Sequence, residues 1–176
     1  AALHEQADLI AALTSLNKAL QLKPDYPEAH NNLGVALLEK GDLNAAIVSF
    51  KTALKLRPHD QEAHNNLGVA LQGQGYLNAA LASYKNALQY MPNHPGAHSN
   101  LSMLFLLTGA YEKGWQEYEW RFKSKYGKYI LNASPKHSRW NGSALHFKEH
   151  LLLISEQGLG DTLQFMRYVL PLKQQG

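Results

Sequence analysis

The stretch AHNNLGVAL occurs twice in this chain, from Ala29 to Leu37 and again from Ala63 to Leu71. A third and altered copy, AHSNLSMLF, runs from Ala97 to Phe105, so that successive copies are 34 residues apart. A period of this length is typical of stacked helical hairpins, which form extended surfaces that hold other chains. The repeat therefore predicts a protein-recognition function.

The period divides most of the chain into units that align without a gap. Three complete units follow one another, and an opening segment matches the second half of an earlier one: Pro27–Asp60, Gln61–His94, Pro95–Lys128 and, before them, Ala1–Tyr26. Since the chain begins in the middle of a unit, we expect an earlier part of the protein to be missing.

Each unit contains the local signals of a helix, a short turn and a second helix. A glycine recurs between two helix-length segments, where a tight or left-handed conformation costs glycine little, and a proline recurs where the second helix must end. These residues are Gly41, Gly75 and Gly109, and Pro24, Pro58 and Pro92. In the first helix, His30, Leu33, Gly34 and Leu37 have the spacing of a buried stripe.

The second helix of each unit places an aromatic ring between small side chains. Phe50 lies between Ala46 and Ala53 in the sequence, and Tyr84 takes the same place one period later. Small residues let helices approach closely. We expect the ring to fill the gap to the neighbouring unit.

These residues resemble the tetratricopeptide repeat family, whose units have small residues, an aromatic and a proline at fixed places. The matching residues are Gly34, Ala46, Phe50, Ala53 and Pro58, then Gly68, Ala80, Tyr84, Ala87 and Pro92, and in the partial unit Ala12, Leu16, Ala19 and Pro24. The resemblance covers residues 1–126 and implies an all-α, right-handed α-solenoid with the first helices on its concave side. Histidine replaces the usual tryptophan, and the last unit departs from the pattern at Ser102, Gly114 and Arg121.

One asparagine per unit recurs on the exposed side of the first helix. An amide offers donors and an acceptor, so a row of amides can pair with the backbone of an extended peptide whatever its side chains. We call this surface the first-helix face and predict that it binds peptide through Asn32, Asn66, Asn100, Val35, Val69, Met103, Asn31, Asn65, Glu28 and Glu62. It resembles the asparagine ladder of O-linked N-acetylglucosamine transferase repeats, which implies a grip on substrate polypeptides.

Two alternatives bear on this face. The asparagines have an alternative role as local supports of the hairpins through hydrogen bonds. Capture of the terminal carboxylate of a peptide is disfavoured, because the positions that would hold the carboxylate have no lysine or arginine for a charge-assisted clamp. The residues at those positions are Asn31, Val35, Asn66, Gly96 and Asn100.

Composition and charge narrow the function class. The chain has no cysteine, so disulfides and thiolate metal sites are excluded and a cytoplasmic location is the default expectation. No apolar run is long enough for a membrane span.

Charge is concentrated near the end of the repeats. Residues Ala110–Trp140 carry seven cations and three acids, a net charge of +4, and the whole chain has a net charge of +3. The rest of the chain therefore sums to −1, so the repeats are near neutral, unlike a solenoid that binds nucleic acid. We expect Trp115, Tyr118 and Phe122 to form the inward stripe of the last helix.

Histidine suggests a metal site in two places, and we expect none in either. His30, His64 and His98 recur once per unit, so stacking separates them by about 10 Å, too far to share a metal. His146, Glu149 and His150 have the spacing of an inverted zinc-peptidase motif, but that chemistry needs a helix, and an apolar strand-like run follows directly.

The C-terminal part has a different pattern. Residues 127–149 are rich in Gly, Asn, Ser and Lys and read as a linker, whereas residues 150–176 read as a strand, a glycine turn and a helix, the start of a truncated α/β segment. The amides at the start of such a helix can hold a phosphate. The turn residues are Gly158, Gly160, Asp161 and Thr162.

This junction resembles bacterial tetratricopeptide proteins whose C-terminal half is a glycosyltransferase with two Rossmann-like domains, related to heptosyltransferases. The matching residues are Trp140, Gly142, Leu145, Glu156, Gln157, Gly158, Gly160, Asp161, Thr162, Gln164, Phe165 and Arg167. The resemblance implies a glycosyltransferase parent in which Asp161 faces the cleft near the acceptor or the sugar nucleotide; the alternative is that Asp161 caps the helix. We expect no catalytic residue, cofactor or glycosyl transfer in these 176 residues alone.

Two functions of different classes remain. The first is a peptide-binding module that presents polypeptides to a glycosyltransferase, and the second is a structural scaffold that self-associates through its open repeat ends. Neither involves nucleic acid or a membrane.

Overall fold

The structure, a computed structural model, describes the backbone of residues 2–123 and the side chains of residues 7–121. Contacts divide the chain into two units, Ala1–Trp120 and Arg121–Gly176. The helical repeats fall in the first unit. The predicted linker and the predicted strand–turn–helix segment lie outside the described residues.

Seven α-helices and a short 3₁₀ helix make up the described part of the chain. They are α1 (Ala2–Leu22), α2 (Pro27–Glu39), α3 (Leu43–Leu56), α4 (Gln61–Gly73), α5 (Leu77–Tyr90), α6 (Pro95–Leu107), α7 (Tyr111–Tyr118) and the 3₁₀ helix Glu119–Lys123. The helices α2 and α3, α4 and α5, and α6 and α7 pack as hairpins, and each hairpin packs on the next. The predicted all-α solenoid is confirmed.

The turn inside each hairpin depends on a glycine in the left-handed region. Gly41, Gly75 and Gly109 have φ of 85°, 80° and 81°. A side chain at such a φ is strained, so glycine is favoured there. One period earlier the chain has Ala7, and there α1 continues as an uninterrupted helix.

The first helices begin with caps that differ from unit to unit. Asp60 accepts a hydrogen bond from the Ala63 amide at 3.0 Å at the start of α4. At the start of α6 the ring nitrogen Nδ1 of His94 accepts from the Ala97 amide at 3.2 Å instead. Tyr26, before α2, makes no side-chain cap bond. The period thus fixes where a helix begins but not the group that caps it.

The core of the first two hairpins is an aromatic ring against a glycine. A Cβ added at Gly34 or Gly68 would come closer than 3.0 Å to the ring of Phe50 or Tyr84, and both rings are almost fully buried. Burial raises the pKa of Tyr84 to about 12, and its hydroxyl donates to Oε1 of Gln72 at 2.9 Å. The ring therefore packs on the first helix of its own hairpin. We expected the ring to fill the gap to the neighbouring unit, and that expectation did not include this contact.

The third hairpin is held differently. Ser102 stands where the first two have glycine, is fully buried, and donates from its hydroxyl to the carbonyl oxygen of Gly114 at 2.8 Å. The expected inward stripe of the last helix is wrong at Trp115, which is 56% exposed. Trp115 aligns with Ile47 of α3, which is 8% exposed and belongs to the hydrophobic core.

Candidate functional site

The first-helix face presents apolar side chains beside its amides. Val69 and Met103, one period apart on α4 and α6, are 36% and 59% exposed, and Val35 on α2 is partly buried. Asn32 is exposed, and Asn66 and Asn100 are half-buried. The residues predicted from the sequence thus lie on three successive first helices.

The amides of this face are hydrogen-bonded across hairpins. Nδ2 of Asn66 donates to Oδ1 of Asn31 at 3.2 Å, and Nδ2 of Asn100 donates to Oδ1 of Asn65 at 2.9 Å. Each bond joins one first helix to the next. Because an amide has two N–H donors and a carbonyl oxygen, these bonds use one donor of Asn66 and one of Asn100.

Asn31 and Asn65 therefore act chiefly as supports. Asn65 is 8% exposed, and its oxygen accepts the bond from Asn100. The asparagine doublet that recurs with the period is the sequence signal for this pairing, because the first asparagine of one unit bonds the second asparagine of the following unit. Sequence reasoning placed these residues on the face and weighed a supporting role through local hydrogen bonds, but it did not foresee bonds between successive units.

Each of the two glutamates predicted on this face is paired with a residue near the end of its own unit. Glu28 is paired with Nη2 of Arg57, which holds the pKa of the glutamate below its usual value. Oε1 of Glu62 lies 3.1 Å from Nε2 of His94, although the contact lacks the alignment of a hydrogen bond. Both glutamates are partly exposed. Their carboxylates therefore lie at the edge of the first-helix face and leave the face open to a ligand.

The repeated histidines bond the prolines that end the preceding helices. Nε2 of His30 lies 2.8 Å from the Pro24 carbonyl oxygen, and Nε2 of His64 lies 2.9 Å from that of Pro58. A carbonyl only accepts, so Nε2 carries the hydrogen and donates. The recurring spacing of proline and histidine is the sequence signal for this bond, which sequence reasoning missed.

His98 makes the same bond and two further contacts. Its Nε2 donates to the Pro92 carbonyl oxygen at 2.8 Å, while Nδ1 contacts the carboxylate of Glu117 on α7. The ring also stacks on Trp120, with centroids 3.7 Å apart and planes 5° apart. His98 thus connects the proline that precedes α6 to the second helix of the same hairpin. Within the part of the chain that the structure describes, no three ligand-type side chains come together as a metal site.

A groove of about 500 Å³ lies between α1 and α2. Its floor is apolar and its rim carries two carboxylates. The lining residues are Asp8, Leu9, Ala12 and Leu16 from α1, and Asn32, Val35, Ala36 and Glu39 from α2. Sequence reasoning did not predict this groove, which we call the α1–α2 groove.

Several predicted site residues lie outside the described residues. They are the turn residues Gly158, Gly160, Asp161 and Thr162, and the residues with the spacing of an inverted zinc-peptidase motif, His146, Glu149 and His150. Among residues 2–123, no helix combines the length and the apolar character that a bilayer crossing requires.

Family profiles match the repeats. The profile described as "TPR repeat" matches residues 2–41 and 36–75, and that described as "Tetratricopeptide repeat" matches residues 61–94. Together they span residues 2–94, more than half of the chain. No curated protein matches the chain in sequence.

Solved structures share the fold. MamA is 24% identical, with a TM-score of 0.62, and the match covers 69% of this chain and 71% of that one. MamA from Desulfovibrio magneticus RS-1 is 20% identical, with a TM-score of 0.61 and coverage of 75% and 73%. A mutant of the Thermobaculum terrenum O-GlcNAc transferase is 31% identical over 56% of this chain, with a TM-score of 0.55. This match covers 19% of the transferase chain.

Proposed function

The chain belongs to the tetratricopeptide repeat family and is a protein-interaction scaffold, and from this premise we propose that its first-helix face binds extended polypeptide. The observation that carries the proposal is the row of amides bonded in register across α2, α4 and α6. Peptide backbone offers the same two groups as an amide side chain, so the row can bind it without regard to sequence.

The surroundings of the amide row favour the same ligand. Val69 and Met103 supply exposed apolar contact beside Asn66 and Asn100. The bonds between helices fix the amides in place, and a side chain that is already ordered loses less conformational entropy when a ligand binds. Affinity is expected to depend more on backbone than on side chains.

Binding is tested with fluorescein-labelled peptides of 15 or so residues that have blocked ends and unrelated, uncharged sequences. Fluorescence anisotropy should show that the chain binds several of them. The triple variant Asn32→Ala, Asn66→Ala, Asn100→Ala should lose roughly tenfold or more in affinity for each. Equal binding by this variant would contradict the proposal.

A matched control removes three amides elsewhere. Asn44, Asn78 and Asn86 are exposed asparagines on the second helices, so the variant with all three changed to alanine has lost the same groups away from the face. It should bind like the unchanged chain. Circular dichroism and thermal melting of both triple variants separate lost binding from lost folding.

We further propose that this module presents polypeptides to a glycosyltransferase. Support comes from the likeness to the transferase of Thermobaculum terrenum and from the resemblance at the C-terminal junction. The 176 residues alone should neither transfer sugar nor hydrolyse a sugar nucleotide. Turnover of a nucleoside-diphosphate sugar above a buffer blank would contradict that expectation.

The alternative, a self-associating scaffold, is favoured by one observation. Tyr111 and Trp115 on α7 are 63% and 56% exposed, which leaves aromatic surface at the end of the repeats. Self-association would appear as a molar mass that rises with concentration in light scattering. Trp115→Ala should abolish that rise while leaving peptide binding unchanged.

A further inference from the structure

Glu28 and Glu62 occupy the same place in consecutive units but have different surroundings. Glu28 is paired with Nη2 of Arg57, the residue that caps the end of α3. One period after Arg57 the chain has Met91, which caps the end of α5. The backbone is nearly identical at the two caps, with φ and ψ of −136° and 87° at Arg57 and of −137° and 87° at Met91. The second unit thus keeps the position of the partner but lacks its guanidinium.

The carboxylate of Glu62 is therefore left without a cation of its own. Its side chain is 57% exposed, and among residues 7–121 no lysine or arginine forms an ion pair with it. Arg57, which comes five residues earlier in the chain, is held by Glu28 and lies 3.7 Å from Oδ2 of Asp60. The arginine of the first unit is thus already engaged.

His94 contacts Glu62 but does not supply the missing charge. Its Nε2 lies 3.1 Å from Oε1 of Glu62. Its Nδ1 accepts a hydrogen bond from the Ala97 amide at 3.2 Å and so caps α6. A ring nitrogen that accepts a hydrogen bond carries no proton, so the imidazole that caps α6 is neutral. The nearest neighbour of Glu62 is polar and uncharged.

Glu62 lies beside the amide row, between neighbouring hairpins. Glu62, Asn66 and Val69 have i, i+4, i+7 spacing and share one side of α4. The helix α4 packs on α2 and on α6, so this carboxylate is exposed within the stack and not at an end of the repeats. Residues four apart on a helix have Cβ atoms about 5–6 Å apart. A long side chain of a peptide bound to Asn66 can therefore reach Glu62.

We infer that Glu62 binds an arginine side chain of the extended polypeptide, so that the first-helix face selects ligands that carry arginine. The inference rests on the proposed function, because the amide row has to hold the peptide backbone beside Glu62. The internal pair of Glu28 and Arg57 shows a guanidinium bound by the glutamate at the equivalent place.

The chemistry of the face favours arginine over other side chains. A guanidinium has planar N–H donors that match the two oxygens of a carboxylate, whereas the ammonium of lysine acts as a point charge. The first helices α2, α4 and α6 contain no lysine or arginine, so they offer no like charge to an incoming arginine.

The test compares an uncharged labelled peptide with a set of peptides in which a single arginine replaces each residue in turn. Fluorescence anisotropy should show that the unchanged 176-residue chain binds at least one arginine peptide about fivefold more tightly than the uncharged parent. Added salt should reduce this gain. The variant Glu62→Gln should bind the two peptides equally. Glu112→Gln is the matched control, since it removes one exposed carboxylate on α7, and it should keep the gain.

A second variant restores the missing partner. Met91→Arg places a guanidinium where the first unit has Arg57, and it should abolish the gain because the chain then supplies its own cation to Glu62. Ala82→Arg adds the same charge at an exposed position of the same helix and should keep the gain. Circular dichroism and thermal melting verify that each variant is folded.

The outcomes separate this inference from the proposed function. The inference fails if uncharged peptides bind and arginine adds nothing, or if Glu62→Gln retains the gain. The proposed function fails if the triple asparagine variant binds the uncharged parent as well as the unchanged chain does. If no peptide binds at all, both fail.

Discussion

The second and third hairpins both turn at a glycine with positive φ but are held together by different chemistry. In the second, Gly68 faces the ring of Tyr84, and the histidine of the unit, His64, makes one hydrogen bond. In the third, the hydroxyl of Ser102 bonds the Gly114 carbonyl, and His98 makes two hydrogen bonds and a ring stack. Apolar packing in one place is thus replaced by polar contacts in the other.

The difference shows that the repeat specifies positions more strongly than it specifies interactions. A residue with no Cβ lets a ring pack on the first helix, whereas a serine at that place needs a partner for its hydroxyl once it is buried. Glu117, which has no counterpart in the second hairpin, is what gives His98 its second bond. Substitutions at equivalent places should therefore have unequal effects.

The largest inequality is expected between His98 and His64. His98→Ala removes two hydrogen bonds and a stack with centroids 3.7 Å apart, whereas His64→Ala removes one bond and a looser ring contact at 5.6 Å. We expect His98→Ala to lower the free energy of unfolding by about 3 kcal/mol and His64→Ala by about 1 kcal/mol. Urea unfolding measures both, and equal losses would mean that the extra contacts add nothing.

A smaller effect is expected at the glycine that faces Tyr84. Gly68→Ala gains helix propensity, but the new Cβ would come closer than 3.0 Å to the ring of Tyr84, which is 1% exposed. Overpacking should exceed the propensity gain, so we expect a net loss of about 1–2 kcal/mol. The control Val69→Ala, on the exposed side of the same helix, should change stability by less than about 0.5 kcal/mol. A stabilised Gly68→Ala chain would show that the ring moves freely.

Ser102 tests the polar replacement in the third hairpin. Ser102→Ala leaves the Gly114 carbonyl without its hydroxyl partner in a buried place, for an expected loss of about 1 kcal/mol. Ser83→Ala is the control, because its hydroxyl bonds only the carbonyl of Ala79 in the preceding turn of its own helix. The control should be nearly neutral in thermal unfolding. The comparison fails if both serines give the same change.

The smallest effect is expected at the exposed pair Glu28 and Arg57, which joins α2 to the residue after α3. The pairing with the Arg57 guanidinium holds the pKa of Glu28 below its ordinary value of 4.5. Its stabilisation is therefore present above about pH 4.5 and is lost as the pH falls through the lowered pKa of the folded state. Glu28→Gln should remove this part of the acid dependence of the melting temperature, and added salt should weaken it.

Much of the fold could be predicted from the sequence because the period carries its own evidence. Gly41, Gly75 and Gly109 were expected at turns and have positive φ there, and the two-helix units follow from the same spacing. The contacts between units were harder to predict. They depend on which side chains meet across about one period, as Asn31 and Asn66 do, and the asparagine doublet indicates that pairing only once the packing of successive first helices is known.

The exposure of part of the candidate site could be predicted, but the hydrogen bonds of its amides could not. Val69 and Met103 are exposed as the periodicity indicated, whereas Asn65 is buried and the bonds between the asparagines of successive units were not foreseen. Trp115 was placed inward because its spacing with Tyr118 fits an amphipathic stripe. A stripe tells which residues share a side of a helix; it does not tell which neighbouring helix that side contacts.

The bond from histidine to proline has a consequence for how one hairpin meets the next. Nε2 of His64 donates to the carbonyl oxygen of Pro58, six residues earlier, and so ties the start of α4 to the segment that follows α3. The direction in which the second hairpin leaves the first is therefore held by a short local bond and does not depend on contacts far along the chain. The spacing of the amides that the two first helices offer to a ligand depends on the same bond.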